Sequence, residues 1–339
     1  MFKHLHHKNV SKEIVRWLSY RNAGHARLEE RQMGECGEKQ VIFKTLYSGI
    51  SRGTESLVYN GLVPPDQYKI MKCPHQLGEF SFPVSYGYSC VGEVVKTGSA
   101  VNEIEEGAQV FVLHPHAEAG VVDAAMVNAL PDGLSPQRAV LSANMETALN
   151  AVWDSGISRG SSCAVIGAGV VGLLTAKLVF DETGIQPLVI DIDTSKQETA
   201  IKLGFNFAVA GEVNVTAEFD SVFNTSSSGA GLQQAIDLCA FEGQVIEMSW
   251  YGNRSVNLKL GSAFHSKRLR IISSQVGHVS SVKRGAVSHA ERMQMAMTRL
   301  CASDFDCLLE PAIAFDDLPE RLPEIFSGEN RSLCQVVEY

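Results

Sequence analysis

The sequence predicts an α/β protein in which a doubly wound parallel sheet adjoins a second domain of β-strands. Short strands with turns fill the first third of the chain, and from about Ser135 the apolar residues switch to helical spacing. Strands and helices then alternate, which is the pattern of right-handed βαβ units. A chain of 339 residues is too long for one ordinary core, so two domains are expected.

Composition and charge narrow the class of protein. Hydrophobic residues make up 45% of the chain and charged residues 20%, which is typical of a soluble globular protein. The net charge of −9 argues against a nucleic-acid or anionic-membrane partner. No apolar run reaches the roughly 18 residues that span a bilayer. The eight cysteines are scattered and form no CxxC pair, which favours reduced thiols in the cytoplasm.

The elements are predicted in chain order. The first strands are "QVIFKTLYSGI", "SCVGEVVKTGSAV" and "GAQVFVLHPH". Ser135 is expected to cap a helix over "SPQRAVLSANMETALNAVWDSG", with Pro136 at its first position. Then strands and helices alternate through "SCAVIGAG", "VVGLLTAKLVFDETG", "PLVIDID", "TSKQETAIKLG", "DSVFNTS", "GLQQAIDLCAFEG" and "QVIEMSW".

The last segments complete both domains. "SHAERMQMAMTRLCAS" and "LPERLPEIFSG" are predicted helices, and "SLCQVVEY" is a predicted strand that returns to the first domain. The expected β domain therefore comprises residues 1–145, completed by 300–339. The expected parallel-sheet domain comprises residues 146–299.

A glycine motif predicts the ligand of the parallel sheet. Gly167, Gly169 and Gly172 have the spacing GxGxxG between a predicted strand and a predicted helix. In this context the first glycine permits a tight turn, the second lets backbone amides approach a pyrophosphate, and the third lets helix and strand pack closely. The motif predicts a Rossmann dinucleotide-binding unit; the alternative is a glycine-rich turn without a ligand.

The acid at the end of the next strand predicts which dinucleotide binds. A carboxylate at Asp191 would accept hydrogen bonds from an adenosine ribose and repel a 2′-phosphate. NAD is therefore predicted in preference to NADP. Asp193 is the second candidate for the ribose, and Lys196 either contacts the ribose or is solvated.

Several segments resemble the medium-chain dehydrogenase/reductase superfamily, from about Lys39 to Tyr339. In order they are "YSGISRGTE", "YGYSCVGEVVKTGSAV", "EEGAQVFVL", "AEAGVVDAAMVNALPDGL", "METALNAVWDSG" and the glycine motif. "SGISRGTE", "ANMETALNAVWD" and "SSQVG" look closest to the branch containing bacteriochlorophyllide a dehydrogenase, often labelled zinc-type or threonine-dehydrogenase-like. The resemblance implies a GroES-like β domain, a Rossmann domain, oxidoreductase chemistry, and a homodimer paired through sheet edges, here through "RIISSQVG".

Zinc members of this family carry metal ligands in three segments, and this chain departs from the pattern in each. The matching positions hold Ser51, Tyr88 with Ser89, and Ala143. A catalytic zinc needs about three protein ligands. The four-cysteine structural zinc lobe is also missing, since no cysteine lies between residues 111 and 130. No metal is therefore expected.

Without zinc, hydrogen-bond donors must polarise the substrate oxygen. Tyr88 stands at the former histidine position and is a candidate donor and general acid; the alternative is a packed aromatic ring. Ser51 is a candidate direct donor, and Thr54 a candidate to pass a proton through the nicotinamide ribose. The predicted catalytic residues are Tyr88, Ser51, Thr54 and His116.

The resemblance adds two cofactor contacts. Thr147 matches a position that touches the nicotinamide, and Arg52 would meet a cofactor phosphate or a substrate carboxylate. The predicted cofactor-binding residues are Gly167, Gly169, Val170, Val171, Gly172, Asp191, Asp193, Lys196, Thr147 and Arg52.

Other groups stay open between a structural and a functional role. Glu55 is expected to be structural, paired with an arginine, and Glu146 is expected on a helix surface rather than in catalysis. His114 and His116, two residues apart, are structural, pocket-lining or metal-binding. The basic segment 264–270, "FHSKRLR", is a solvated strand edge or an anion-binding rim. The N-terminal segment contains His4, His6 and His7. It is expected to be either a flexible terminus or an adventitious metal site.

The predicted function is the NAD-dependent, zinc-independent interconversion of a secondary alcohol and a ketone, by hydride transfer at the nicotinamide C4. A small-molecule substrate would lie between the two domains. The second candidate is a quinone or enone reductase, which Asp191 disfavours because such enzymes usually prefer NADPH. A candidate of another class is a dinucleotide-binding protein without catalysis.

Overall fold

The computed structural model describes residues 13–213 and 218–339, and the structural statements below refer to that part of the chain. The predicted adventitious metal site at His4, His6 and His7 lies outside the described residues. Within the described ranges no helix has both the length and the apolar character needed to cross a membrane.

The first third of the chain consists mainly of strands joined by turns, as predicted. The strands are β1 (Ile14–Asn22), β2 (His25–Gln32), β3 (Gln40–Gly49), β4 (Leu77–Gly78), β5 (Val84–Ser85), β6 (Cys90–Thr97), β7 (Gln109–Val112), β8 (Ala119–Asp123) and β9 (Val127–Ala129). The helix α1 (Arg52–Tyr59) follows β3. The sequence patterns predict β3, β6 and β7 but miss the β1–β2 hairpin and α1.

From residue 136 helices and strands alternate. The helices are α2 (Pro136–Ala139), α3 (Ser142–Ser155), α4 (Val170–Thr183), α5 (Gln197–Lys202), α6 (Gly229–Leu238), α7 (Ala263–Ser266), α8 (His289–Arg299) and α9 (Leu318–Ile325). The strands are β10 (Cys163–Ile166), β11 (Leu188–Asp191), β12 (Asn206–Val209), β13 (Phe219–Asn224), β14 (Cys239–Glu247), β15 (Arg270–Ser273), β16 (Ile313–Ala314) and β17 (Val336–Glu338).

Strands β10 to β15 form the predicted parallel sheet, in the order β12–β11–β10–β13–β14–β15. All four residues of β10 are buried, as expected for a strand covered on both faces by helices. The chain winds outward from β10 in one direction and from β13 in the other. A dinucleotide binds a sheet of this kind at the carboxyl ends of the strands, where the two directions diverge.

The remaining strands form the β domain. One antiparallel sheet has the order β2–β1–β5–β4, and a second has the order β16–β17–β3–β6–β7–β9, with β8 also paired to β3. Strand β17 pairs with β3, and Val336 lies opposite Gly49. The predicted return of the closing strand to the first domain is therefore confirmed.

The predicted helix over 135–156 is two helices. Ser135 does cap α2, since its Oγ accepts a hydrogen bond from the Arg138 amide at 3.3 Å. The chain then turns at Val140, which packs directly on β3: a Cβ added at Gly49 would lie 2.9 Å from Val140 Cβ. Packing on the sheet thus outweighs helix propensity. The expected domain boundary, between residues 145 and 146, falls inside α3.

The helix predicted over 231–243 is too long. Helix α6 ends at Leu238, because Cys239 has extended backbone and pairs with Phe219 at the start of β14. One continuous apolar core then joins the domains, with Phe111 of β7, Met145 of α3 and Val165 of β10 all buried in it. The two domains are therefore joined by a shared apolar core.

Candidate active site

A cavity of ≈ 1160 Å³ opens between the β domain and the carboxyl ends of the parallel strands. One side consists of the turn after β10, the end of β11 and the loops after β13 and β14. The other consists of the β3–α1 turn and the start of α3. All ten predicted cofactor-binding residues line this cavity, as do three of the four predicted catalytic residues.

The glycine turn has the geometry that a bound dinucleotide needs. Gly167 has a φ of 101°, which favours glycine, and a Cβ added at Gly172 would lie 1.9 Å from the Gly167 carbonyl oxygen. Gly169 is the N-cap residue of α4, and a Cβ added there would lie in open space, with no atom within 4 Å. The turn therefore leaves an open approach to the α4 N-terminus, which fits a pyrophosphate.

Asp191 is fixed at the cavity wall by two backbone amides. Its Oδ2 accepts a hydrogen bond from Ala168 at 2.6 Å, and its Oδ1 accepts one from Asp193 at 2.8 Å. Asp193 in turn accepts from the Ser195 amide at 3.0 Å. Burial acts to raise the pKa of Asp193, but hydrogen bonds from Ser195 and the charges of Arg331 and Lys196 hold it below its ordinary value.

Three cationic side chains line the cavity close to these two acids. Arg52 donates to the Ser332 carbonyl at 2.9 Å, and Arg331 lies 3.6 Å from Asp193 Oδ2. Burial is the main cause that lowers the pKa values of Arg52 and Lys196. Arg331 was missed in the sequence, where it is a lone cation far from the glycine motif. Positive charge here fits a phosphate group of a dinucleotide, either its pyrophosphate or the 2′-phosphate of NADP.

The hydroxyls of Tyr88, Ser51 and Thr54 come together at the β-domain side of the cavity. Burial, and then the charge of Glu55, raise the pKa of Tyr88, while the nearby Ser51 and Thr54 hydroxyls partly offset this. Tyr88 therefore keeps its proton at neutral pH and is a hydrogen-bond donor. Asn144, which was not predicted, also lines the cavity, and its Nδ2 donates to Ser51 Oγ at 3.5 Å.

Helix α3 carries one residue that lines the cavity as predicted and one whose position differs from the predicted one. Thr147 lines the cavity, as expected. Glu146 is neither a surface acid nor a cavity residue, because it is buried and accepts a hydrogen bond from Arg292 Nε at 3.0 Å. Burial raises the pKa of Glu146 despite this arginine. The ion pair joins α3 to α8.

The structure gives two further residues a partner or a position that differs from the expected one. His116, predicted as catalytic, is buried behind the cavity wall and does not line the cavity. Glu55 is buried, and its partner is His116 at 2.9 Å rather than the expected arginine. His114 does not share a site with His116: it packs against Trp17 and Phe43, and burial lowers its pKa to about 3.

The basic segment 264–270 is away from the cavity and does not form an anion-binding rim. Lys267 donates to Glu218 and Arg268 donates to Glu242, so both charges are already paired at the surface. Part of the segment is α7 rather than a strand edge. In the described ranges, no cluster of three or more His, Cys, Asp or Glu side chains is arranged to hold a metal ion.

The chain is similar in sequence to several dehydrogenases and reductases. No family-level sequence profile matches the chain. (R,R)-butanediol dehydrogenase of Bacillus subtilis is 25% identical over 276 residues, 70% of this chain and 77% of that protein. A 2-desacetyl-2-hydroxyethyl bacteriochlorophyllide A dehydrogenase of Rhodobacter capsulatus is 23% identical over 63% of this chain and 67% of its own. A 2-methylene-furan-3-one reductase of Solanum lycopersicum is 28% identical over 51% of this chain and 50% of its own.

Solved structures share the whole fold. The 2R,3R-butanediol dehydrogenase of Bacillus subtilis superposes with a TM-score of 0.77 at 19% identity, over 96% of this chain and 99% of that one. A proposed zinc-binding dehydrogenase of Sinorhizobium meliloti 1021, bound to NADP, gives 0.76 at 19% identity, over 96% and 100% of the two chains. The chain therefore shares the fold of these dehydrogenases, and its similarity to named dehydrogenases and reductases supports an NAD(P)-dependent oxidoreductase related to the alcohol dehydrogenase-like, medium-chain dehydrogenase/reductase proteins.

Proposed function

We propose that the protein interconverts a secondary alcohol and a ketone, with NAD as its preferred cofactor and without zinc. The observation that carries the proposal is the single cavity that brings Asp191 and the glycine turn into the same space as the Tyr88, Ser51 and Thr54 hydroxyls. One wall is suited to a dinucleotide and the other to a substrate oxygen.

Residues in different parts of the cavity would bind different parts of the cofactor. The backbone amides at the start of α4, with Arg52 and Arg331, would hold the pyrophosphate, and Asp191 would accept hydrogen bonds from the adenosine ribose. Thr147 would face the nicotinamide. A bound nicotinamide supplies reversible hydride exchange with the substrate carbon.

Tyr88 and Ser51 would bind the substrate oxygen. The protonated Tyr88 hydroxyl is a donor in a buried site, where a hydrogen bond to developing negative charge is strongest. Zinc independence is supported by Ser51, Tyr88 and Ala143, which line the cavity without a thiolate, imidazole or carboxylate among them. Hydroxyl donors would then take over the polarisation that a metal supplies elsewhere.

Reduction of an activated double bond is the second candidate, because one relative is a 2-methylene-furan-3-one reductase. Asp191 is the feature that disfavours it, since its carboxylate would repel the 2′-phosphate of NADPH. A dinucleotide-binding protein without catalysis is the candidate from a different class.

The test is a panel of secondary alcohols, ketones and enones, each assayed with both cofactors on untagged protein, together with elemental analysis. Turnover of an alcohol or ketone with NAD(H) and no stoichiometric zinc is the expected result. Turnover of enones alone with NADPH would support the second candidate, and tight NAD binding without any turnover would support the third. Near-stoichiometric zinc whose removal abolishes activity would contradict zinc independence.

Two further expectations remain proposals. Pairing of two copies through the β15 edge is supported by the position of that strand at the end of the parallel sheet. A cytoplasmic location is supported by the eight cysteines, all of which are free thiols in the structure.

A further inference from the structure

A buried hydrogen-bonded network lies directly behind the wall that carries the candidate catalytic hydroxyls. Its centre is Glu55, whose exposed fraction is 0%. The carboxylate accepts hydrogen bonds from the Ser51 amide at 2.8 Å, from His116 Nε2 at 2.9 Å and from the Tyr20 hydroxyl at 3.4 Å. These three hydrogen bonds restrict the orientation of the carboxylate.

His116 links both ends of the segment that lines the cavity. Its Nε2 donates to Glu55 in the first turn of α1, and its Nδ1 is hydrogen-bonded to Ser48 Oγ at 2.7 Å, near the end of β3. Ser48 Oγ is also hydrogen-bonded to the Tyr339 hydroxyl at 2.9 Å. Segment 48–55, which includes Ser51, is therefore held at its two ends by one imidazole ring.

The same ring also supports the second segment of the wall. A Cβ added at Gly87 would lie 2.8 Å from His116 Cδ2, and Gly87 has a φ of 131°. The imidazole therefore packs against the backbone immediately before Tyr88. One buried side chain thus contacts both segments whose hydroxyls meet in the cavity, although it does not reach the cavity itself.

We propose that Glu55 and His116 act as a positioning pair that sets the Ser51, Thr54 and Tyr88 hydroxyls against the substrate oxygen. The proposal rests on the proposed function, in which these hydroxyls are the donors. A buried polar group is costly to leave without a hydrogen-bond partner, so the two residues work as one unit. Small displacements of donors have large effects, because a misplacement of about 1 Å costs on the order of 10²-fold in rate.

The experiment compares Glu55→Ala, Glu55→Gln and His116→Gln with the double variant Glu55→Gln/His116→Gln. Each single loss of the pair is expected to lower kcat by about 10²-fold with the NAD dissociation constant unchanged. Glu55→Gln keeps an acceptor for the Ser51 amide and should retain more turnover than Glu55→Ala. The kcat of the double variant should be no lower than that of the less active single variant, because the pair acts as a unit.

Controls separate positioning from folding. Glu118→Gln removes another carboxylate near His116 in sequence, one that pairs with Arg16 outside the cavity, and is expected to keep wild-type kcat. Ser48→Ala removes a single hydroxyl from the network. It replaces the pair variants in these assays if those variants fail to fold. A lowered melting temperature with unchanged kcat in the pair variants would reduce the network to packing and overturn the proposal, as would multiplicative losses in the double variant.

Amide hydrogen exchange at Ser51 provides a readout that does not need a substrate. The Ser51 amide donates to Glu55, so its protection should fall in Glu55→Ala and in His116→Gln but not in Glu118→Gln. If the wild-type protein turns over no alcohol, ketone or enone, the proposed function fails while this measurement still decides whether the pair holds the segment. Unchanged protection in both pair variants would overturn the positioning role.

Discussion

Two glycines of one turn are predicted to fail in different ways when each gains a methyl group. A Cβ at Gly172 would lie 1.9 Å from the Gly167 carbonyl oxygen and 2.7 Å from Thr225 Oγ1. Close carbon–oxygen contacts in proteins are about 3.3–3.6 Å, so the overlap with a backbone atom exceeds about 1 Å. Helix α4 must move away from β10, and Gly172→Ala should lower the free energy of unfolding by about 1–3 kcal/mol or more.

Gly169 presents the opposite case. An added Cβ there has no atom within 4 Å, and the backbone at φ −75°, ψ 179° is open to any residue. Gly169→Ala should therefore fold with unchanged or slightly raised stability. Its methyl group would occupy the space through which a pyrophosphate approaches the α4 amides. We expect the NAD dissociation constant to rise at least about tenfold, which corresponds to ~1.4 kcal/mol.

Thermal unfolding and titration calorimetry with NAD distinguish the two effects. Gly261→Ala is the matched control, because its Cβ also meets no atom within 4 Å and the residue does not line the cavity. It should match the wild type in both assays. The reasoning is refuted if Gly169→Ala binds NAD as tightly as the wild type, or if Gly172→Ala melts at the wild-type temperature.

Three further predictions concern the cavity and the buried tyrosines. Tyr88→Phe should lower kcat by about 10²-fold while the melting temperature and NAD affinity stay unchanged, and an unchanged kcat in steady-state assays would leave this ring a packing residue. The wild type should bind NAD at least about tenfold more tightly than NADP, and Asp191→Ser should narrow that gap; equal wild-type affinities by calorimetry would contradict this. Burial is the main cause that raises the pKa values of Tyr20, Tyr86 and Tyr339. A raised folded-state pKa contributes stability that is present below the unfolded pKa of about 10 and is lost as pH rises above it, by ~1.4 kcal/mol per pH unit per tyrosine. Urea unfolding at increasing alkaline pH measures this, and a constant free energy of unfolding above that pKa would show the prediction to be wrong.

Local patterns were sufficient to predict which residues line one side of the cavity. The glycine turn, the following helix and Asp191 lie within one βαβ unit, where spacing along the chain fixes spacing in the fold. The alternation of strands and helices likewise predicts the parallel sheet. Patterns of this kind fail where contacts with distant strands compete with the local helix signal, as at Val140, which packs on β3, and at Cys239, which pairs with Phe219.

The substrate side depends on contacts that leave no periodic trace in the sequence. Glu55 and His116 are 61 residues apart, and Glu146 and Arg292 are 146 residues apart. A carboxylate in isolation predicts a surface position, since buried acids are rare unless paired. Its actual burial depends on a partner that only the tertiary fold brings close. Arg331 was missed for the same reason.

The contact between Gly87 and His116 also constrains how this lineage can change. Any side chain at position 87 would collide with the imidazole and would have to adopt a backbone conformation that suits glycine. A smaller residue at position 116 would relieve the collision but would leave Glu55 without its donor. The three positions should therefore be inherited as a set: homologues that replace the histidine should also have lost the buried acid, and those that keep both should keep the glycine.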